Sequence, residues 1–78
     1  MALVRFFAGA RAAMGTSEIT LECATLQELV EHCSSQNPRA AEVLQSCSFL
    51  LDGLSTKDQN ASLIGIENID VLPKFAGG

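Results

Sequence analysis

The sequence predicts an α+β roll, with a mixed sheet of four to five strands packed on one main helix. Three observations lead to it. Residues 18–23 alternate apolar and polar over a strand's length, and residues 25–33 carry a capped apolar stripe at helical spacing. Asp52-Gly53 marks a tight hairpin. At 78 residues the chain is one domain, of a size that buries only about 60% of its unfolded surface. That leaves room for one modest core and none for a deep enzyme cleft.

Residues 3–8 form the first expected strand, with Val4 and Phe6 on one face and Leu3, Arg5 and Phe7 on the other. Residues 9–15 are too short for a stable helix and read as a helical turn stopped by Gly15. In residues 18–23, Ile19, Leu21 and Cys23 face in while Glu18, Thr20 and Glu22 face out, giving an antiparallel partner for the first strand. Thr25 and Glu28 have the spacing of a capping box. Leu26, Leu29, Val30 and Cys33 follow as one helical stripe, and Pro38 bars continuation.

A short second helix is expected over 39–46, and a third strand over 47–51. Asp52-Gly53 suits a type I′ turn, whose central residues both need φ > 0, so residues 54–56 pair back. Residues 57–68 are a polar connection around Leu63-Ile64. Residues 69–75 make the last strand, with Ile69 and Val71 in and Asp70 and Leu72 out. Pro73 donates nothing to a ladder and weakens pairing there. The domain therefore spans 1–75, and Ala76-Gly77-Gly78 leaves it as a tail. Hairpin, helix, then strands points to a β-grasp with its first and last strands parallel at the sheet centre. Periodicity supplies the elements but not the strand order.

Composition narrows the function. Hydrophobic residues at 47% and charged residues at 18% describe a folded chain, not a disordered one. A net charge of −4 repels nucleic acid and suits a partner with a basic docking face. Three cysteines, Cys23, Cys33 and Cys47, close no disulfide framework, and free thiols place the chain in the cytoplasm. With no basic neighbour they read as small core residues. The N-terminus lacks a signal-peptide core, and no apolar run approaches a membrane span. No metal is expected, because His32 has neither a second His nor a Cys at ligand spacing. Gly9 and Gly15 are turn positions, without the spacing of a phosphate loop.

The tail is the candidate site. Average glycine usage puts two glycines at a chain end in roughly 0.5% of sequences by chance. Gly-Gly directly after a strand in a small α+β domain is more specific than that. The plain alternative is a frayed end. Phe7 and Leu72 point away from the inward sets, so neighbouring strands put both on the open face of the sheet as a docking patch. Arg11 either fixes its turn or contacts a partner.

Val4-Arg5-Phe6-Phe7-Ala8 with Arg11 and Gly15, Asp70-Val71-Leu72-Pro73, and Ala76-Gly77-Gly78 together resemble the MoaD/ThiS family of ubiquitin-like sulfur carriers. The resemblance runs the whole length, with the middle matching only in pattern. The Phe-Phe start and the length are closer to the MoaD branch, the small subunits of molybdopterin synthase. Two features depart from the family pattern. Ile66-Glu67 stands where Gly-Asp is usual, and Lys74 follows Pro73 where a second proline is usual.

The resemblance implies a β-grasp with its chemistry at Gly78. An E1-like adenylyltransferase would adenylate that carboxylate with ATP, and a sulfurtransferase would supply sulfur for a thiocarboxylate. The molybdopterin synthase large subunit would then receive the tail and pass the sulfur to a pyranopterin precursor. In that role the chain is a non-catalytic sulfur donor that binds no cofactor itself. Gly77 gives the tail a thin approach, and Phe7, Leu54, Leu72, Phe75 and Arg11 fall where the family meets partners. Sulfur carriage for thiazole or cysteine synthesis, a ubiquitin-like protein modifier and a plain interaction domain are the alternatives.

Overall fold

Alternation along β1 (Ala2–Phe6) buries Ala2, Val4 and Phe6 and leaves Leu3 and Arg5 on the opposite face. The structure, a computed structural model, describes residues 1–73. β1 pairs antiparallel with β2 (Glu18–Leu21) and parallel with β5 (Asn68–Leu72). β5 also pairs antiparallel with β3 (Ser48–Leu51), which forms a hairpin with β4 (Leu54–Thr56). The order is β2-β1-β5-β3-β4, a β-grasp sheet with first and last strands parallel at its centre.

Three helices cover one face, where the sequence predicts one main helix and a short second. The connection between β1 and β2 holds α1 (Ala8–Met14), a full helix and not a single turn. Tertiary packing compensates for its length. Ala10 and Ala13 are buried, and the Asn37 side-chain amide donates to the Ala13 carbonyl. Gly15 closes α1 in the left-handed region at φ 73, its N–H donating to the Arg11 carbonyl.

α2 (Leu26–Gln36) starts at the predicted cap: the Glu28 N–H donates to Thr25 Oγ1 at 3.3 Å. The Glu28 carboxylate reaches one residue further back than a capping box requires, accepting from the Ala24 N–H at 2.6 Å. The Gln59 and Ala61 carbonyls accept from the Gln27 and Leu26 N–H groups, so residues 58–63 strap the helix start. Asn37 joins all three helices. Its N–H ends α2 on the Cys33 carbonyl, its Oδ1 caps α3 (Pro38–Gln45) at the Arg39 N–H, and its amide holds α1. Pro38, which stops α2, is the first residue of α3, where a missing N–H costs nothing.

The core lies between sheet and helices. Val4, Phe6, Phe49, Leu51, Ile69 and Val71 of the sheet meet Ala10, Leu26, Leu29, Cys33, Ala40 and Leu44. No Trp or Tyr is present, so every buried side chain is aliphatic, Phe or thiol, and no buried side-chain polar atom is orphaned among the described residues. The last strand ends at Leu72, earlier than the predicted residue 75, with Pro73 just beyond it. No helix among the described residues is long and apolar enough to cross a membrane.

Candidate functional site

β5 carries the candidate tail. Ile69 and Val71 are buried on the helix side, and the strand is hydrogen-bonded on both edges, to β1 and to β3. The last registered pair with β1 is Phe6–Val71. The Phe7 N–H then donates to the Val71 carbonyl at 3.2 Å, a final tie beside the strand's exit. Gly77 and Gly78, and the expected partner residue Phe75, lie outside the described residues.

Phe7 and Leu72 both follow that last pair. Phe7 is 39% exposed and begins α1 in extended conformation, and Leu72 is half-buried opposite Ser48. The structure therefore brings these two predicted residues to the same end of the central strands. Leu54 does not join them. It registers with buried Leu51, so it belongs to the helix-side face, at the far end of an edge strand, and is 76% exposed. Arg11 projects from α1 beside Gly15, Thr16 and Ser17, lining a shallow hollow. Its backbone carbonyl closes the helix, while its guanidinium makes no hydrogen bond among the described residues.

The open face holds a feature that the sequence reading missed. Arg5 Nε donates to Asp70 Oδ1 at 2.7 Å, and Arg5 Nη2 to Asp70 Oδ2 at 3.1 Å. This two-pronged pair lies across the parallel β1–β5 register, where Arg5 faces Asp70 directly. The hydrogen bond to Asp70, then its charge, raises the Arg5 pKa, and Glu18 opposite Arg5 adds to this. Half-buried Leu3, Leu50 and Leu72 flank the pair. The signal was present in two outward residues of opposite charge on strands expected to be parallel neighbours. Register was the missing information.

The cysteines are not site residues. Cys33 and Cys47 are buried and Cys23 is half-buried. Burial raises all three pKa values, that of Cys33 to about 11, which keeps the thiols protonated at neutral pH. Among the described residues no group of three His, Cys, Asp or Glu could hold a metal.

No protein-family model matches the chain, and no curated protein matches it by sequence. Solved structures do. The crystal structure of SAMP1 from Haloferax volcanii superposes with a TM-score of 0.78 at 14% identity, over 99% of this chain and 98% of that one. The solution structure of the small archaeal modifier protein 1 (SAMP1) from Methanosarcina acetivorans gives a TM-score of 0.67 at 22% identity, over 99% and 95%. At such identities the likeness shows the fold, a ubiquitin-like β-grasp.

Proposed function

We propose that this chain is a ubiquitin-like carrier whose Gly78 carboxylate is activated and transferred. A free carboxylate is a poor electrophile at pH 7. Attack on the α-phosphate of ATP releases pyrophosphate and leaves an acyl-adenylate. AMP then departs when a nucleophile attacks the carbonyl carbon. An E1-like adenylyltransferase supplies this chemistry, and the carrier supplies a rigid body, a docking face and a terminus without side chains. Glycine suits that end because it neither blocks a narrow channel nor restricts the backbone.

The observation that supports the reading most is the central position of β5, which ends at Leu72, four residues short of Gly77-Gly78. A strand held on both edges fixes the root of the tail, and Phe7 and Leu72 beside it form the docking patch. The first destination is a lysine amine of another protein, giving an isopeptide bond. The names of both solved neighbours, modifier proteins, favour it. The second is sulfur. A sulfurtransferase converts the adenylate to a thiocarboxylate, and the molybdopterin synthase large subunit, or an enzyme of thiazole or cysteine synthesis, accepts it. The match of Phe6-Phe7 to the MoaD branch favours molybdopterin among these.

One experiment separates the destinations. The full chain is incubated with its activating enzyme, ATP and either lysate or a sulfur donor. Conjugates of higher mass on a gel indicate modification. Replacement of one oxygen by sulfur in the intact mass indicates thiocarboxylate. Deleting Gly78 abolishes both. Neither product with a competent activating enzyme refutes the proposal.

A further inference from the structure

A second site lies at the pole opposite the tail. β1 and β5 run in parallel, so their starts share one end of the sheet and their exits the other. At the starting end, a cleft of about 530 Å³ opens between the end of β2, the beginning of α2 and residues 63–67. Behind it lies the core, with Val4, Leu29 and Ile69 fully buried, and its accessible apolar wall is half-buried Leu21, Cys23 and Ile66. Its mouth carries Met1 and Ile64, 81% and 79% exposed.

The rim is acidic. Glu22, Glu28 and Glu67 line the cleft, and among the described residues no Lys, Arg or His side chain joins them, the Met1 amine being the one cation. Glu28 is engaged by the Ala24 N–H. The Glu22 and Glu67 carboxylates make no ion pair among the described residues. This volume falls in the range of ligand-holding clefts, and an apolar wall beside three carboxylates and a single amine selects by both properties.

We infer that this cleft docks a segment of a partner protein, one that seats apolar side chains against Leu21, Cys23 and Ile66 between flanking Lys or Arg residues. Charge complementarity argues for it: an acidic or neutral segment leaves Glu22 and Glu67 without partners, while a basic one pairs both. The exposed Ile64 and Met1 side chains then close over the inserted group. About 13 Å of β5 separates the cleft from the tail exit, so both ends work at once. A partner held here leaves the carboxyl end free for its enzymes. The inference stands on the cleft alone and survives if the proposed tail chemistry fails.

The test uses the isotope-labelled full chain titrated with three capped tetrapeptides, Arg-Leu-Leu-Arg, Arg-Ser-Ser-Arg and Glu-Leu-Leu-Glu, followed by amide chemical shifts. The expected result is saturable shifts at residues 21–24 and 63–67 with the first peptide, and binding about tenfold weaker with the other two. Ile64→Ser and the double change Glu22→Lys, Glu67→Lys each weaken the first peptide about fivefold or more. All three positions are exposed, so the fold is kept, and unchanged shifts elsewhere verify it. Deleting Gly78 leaves binding unchanged. Equal binding of Arg-Ser-Ser-Arg would reduce the site to surface charge and overturn the inference. Shifts centred on Arg5 and Asp70, or no saturation by any peptide, overturn it as well.

Discussion

Asp52 does two jobs, and three substitutions at this position separate them. It occupies the first central position of the β3–β4 turn at φ 49, followed by Gly53 at φ 91. Its Oδ1 accepts from the Asn68 N–H at 2.8 Å and the Glu67 N–H at 3.2 Å, and its own N–H donates to the Asn68 carbonyl at 2.9 Å. The residue thus forms a tight turn and holds the start of the central strand. At an exposed site each side-chain hydrogen bond contributes about 1 kcal/mol. A left-handed backbone costs alanine about 1 kcal/mol more than it costs aspartate or glycine.

Asp52→Ala loses both contributions, about 2–3 kcal/mol. Asp52→Gly keeps the backbone and loses the acceptor, about 1–2 kcal/mol. Asp52→Asn keeps an acceptor oxygen and left-handed tolerance, and costs about 1 kcal/mol or less. Urea unfolding reads the series. With a slope of about 1 kcal/mol per molar for so small a protein, the alanine midpoint falls by about 2 M. Asparagine as damaging as alanine would refute the acceptor's role. Alanine no worse than glycine would refute the role of φ.

Ala8 begins α1 at φ 48, where L-residues are strained, so Ala8→Gly is expected to raise stability by about 0.5–1 kcal/mol in the same urea assay. Cys33 has its pKa raised by burial from 9.0 to about 11, so the folded state holds that proton more tightly than the unfolded state. Its contribution to stability is complete below pH 9 and is lost as pH rises to about 11, which thermal melts across that window detect. Timed alkylation of the native protein should label Cys23 before Cys33 and Cys47, since only Cys23 is partly exposed. Phe7→Ser with Leu72→Ser is expected to slow adenylation at Gly78 while leaving peptide binding at the acidic cleft unchanged. Equal losses at both sites would signal a damaged fold.

Local chemistry made much of the protein legible in its residues. Residues 18–21 alternate because Ile19 and Leu21 pack against the edge of the core while Glu18 and Thr20 face water, and Thr25 with Glu28 sets the start of α2 because exposed N–H groups need acceptors. Asp52-Gly53 dictates a left-handed turn because few other pairs tolerate one. Cys33 is buried because it falls on the apolar stripe of α2. Each of these depends on contacts within a few positions. Gly77 and Gly78, too, were visible as residues, and they lie outside the described ones.

Tertiary structure decided what depends on distant partners. The Arg5–Asp70 pair joins residues 65 positions apart, and only the parallel register of β1 with β5 aligns them. α1 exceeds its local propensity because Ala10 and Ala13 are buried and Asn37 reaches its last turn. Leu54 was grouped with Phe7 and Leu72 by resemblance, yet its pairing with Leu51 puts it on the other face, since a strand position fixes its side only through its register. The acidic cleft is assembled from β2, α2 and residues 63–67, which no short window contains. Periodicity tells a residue which way to face along its own strand. Which strand lies beside it is settled by how all the apolar faces are buried together.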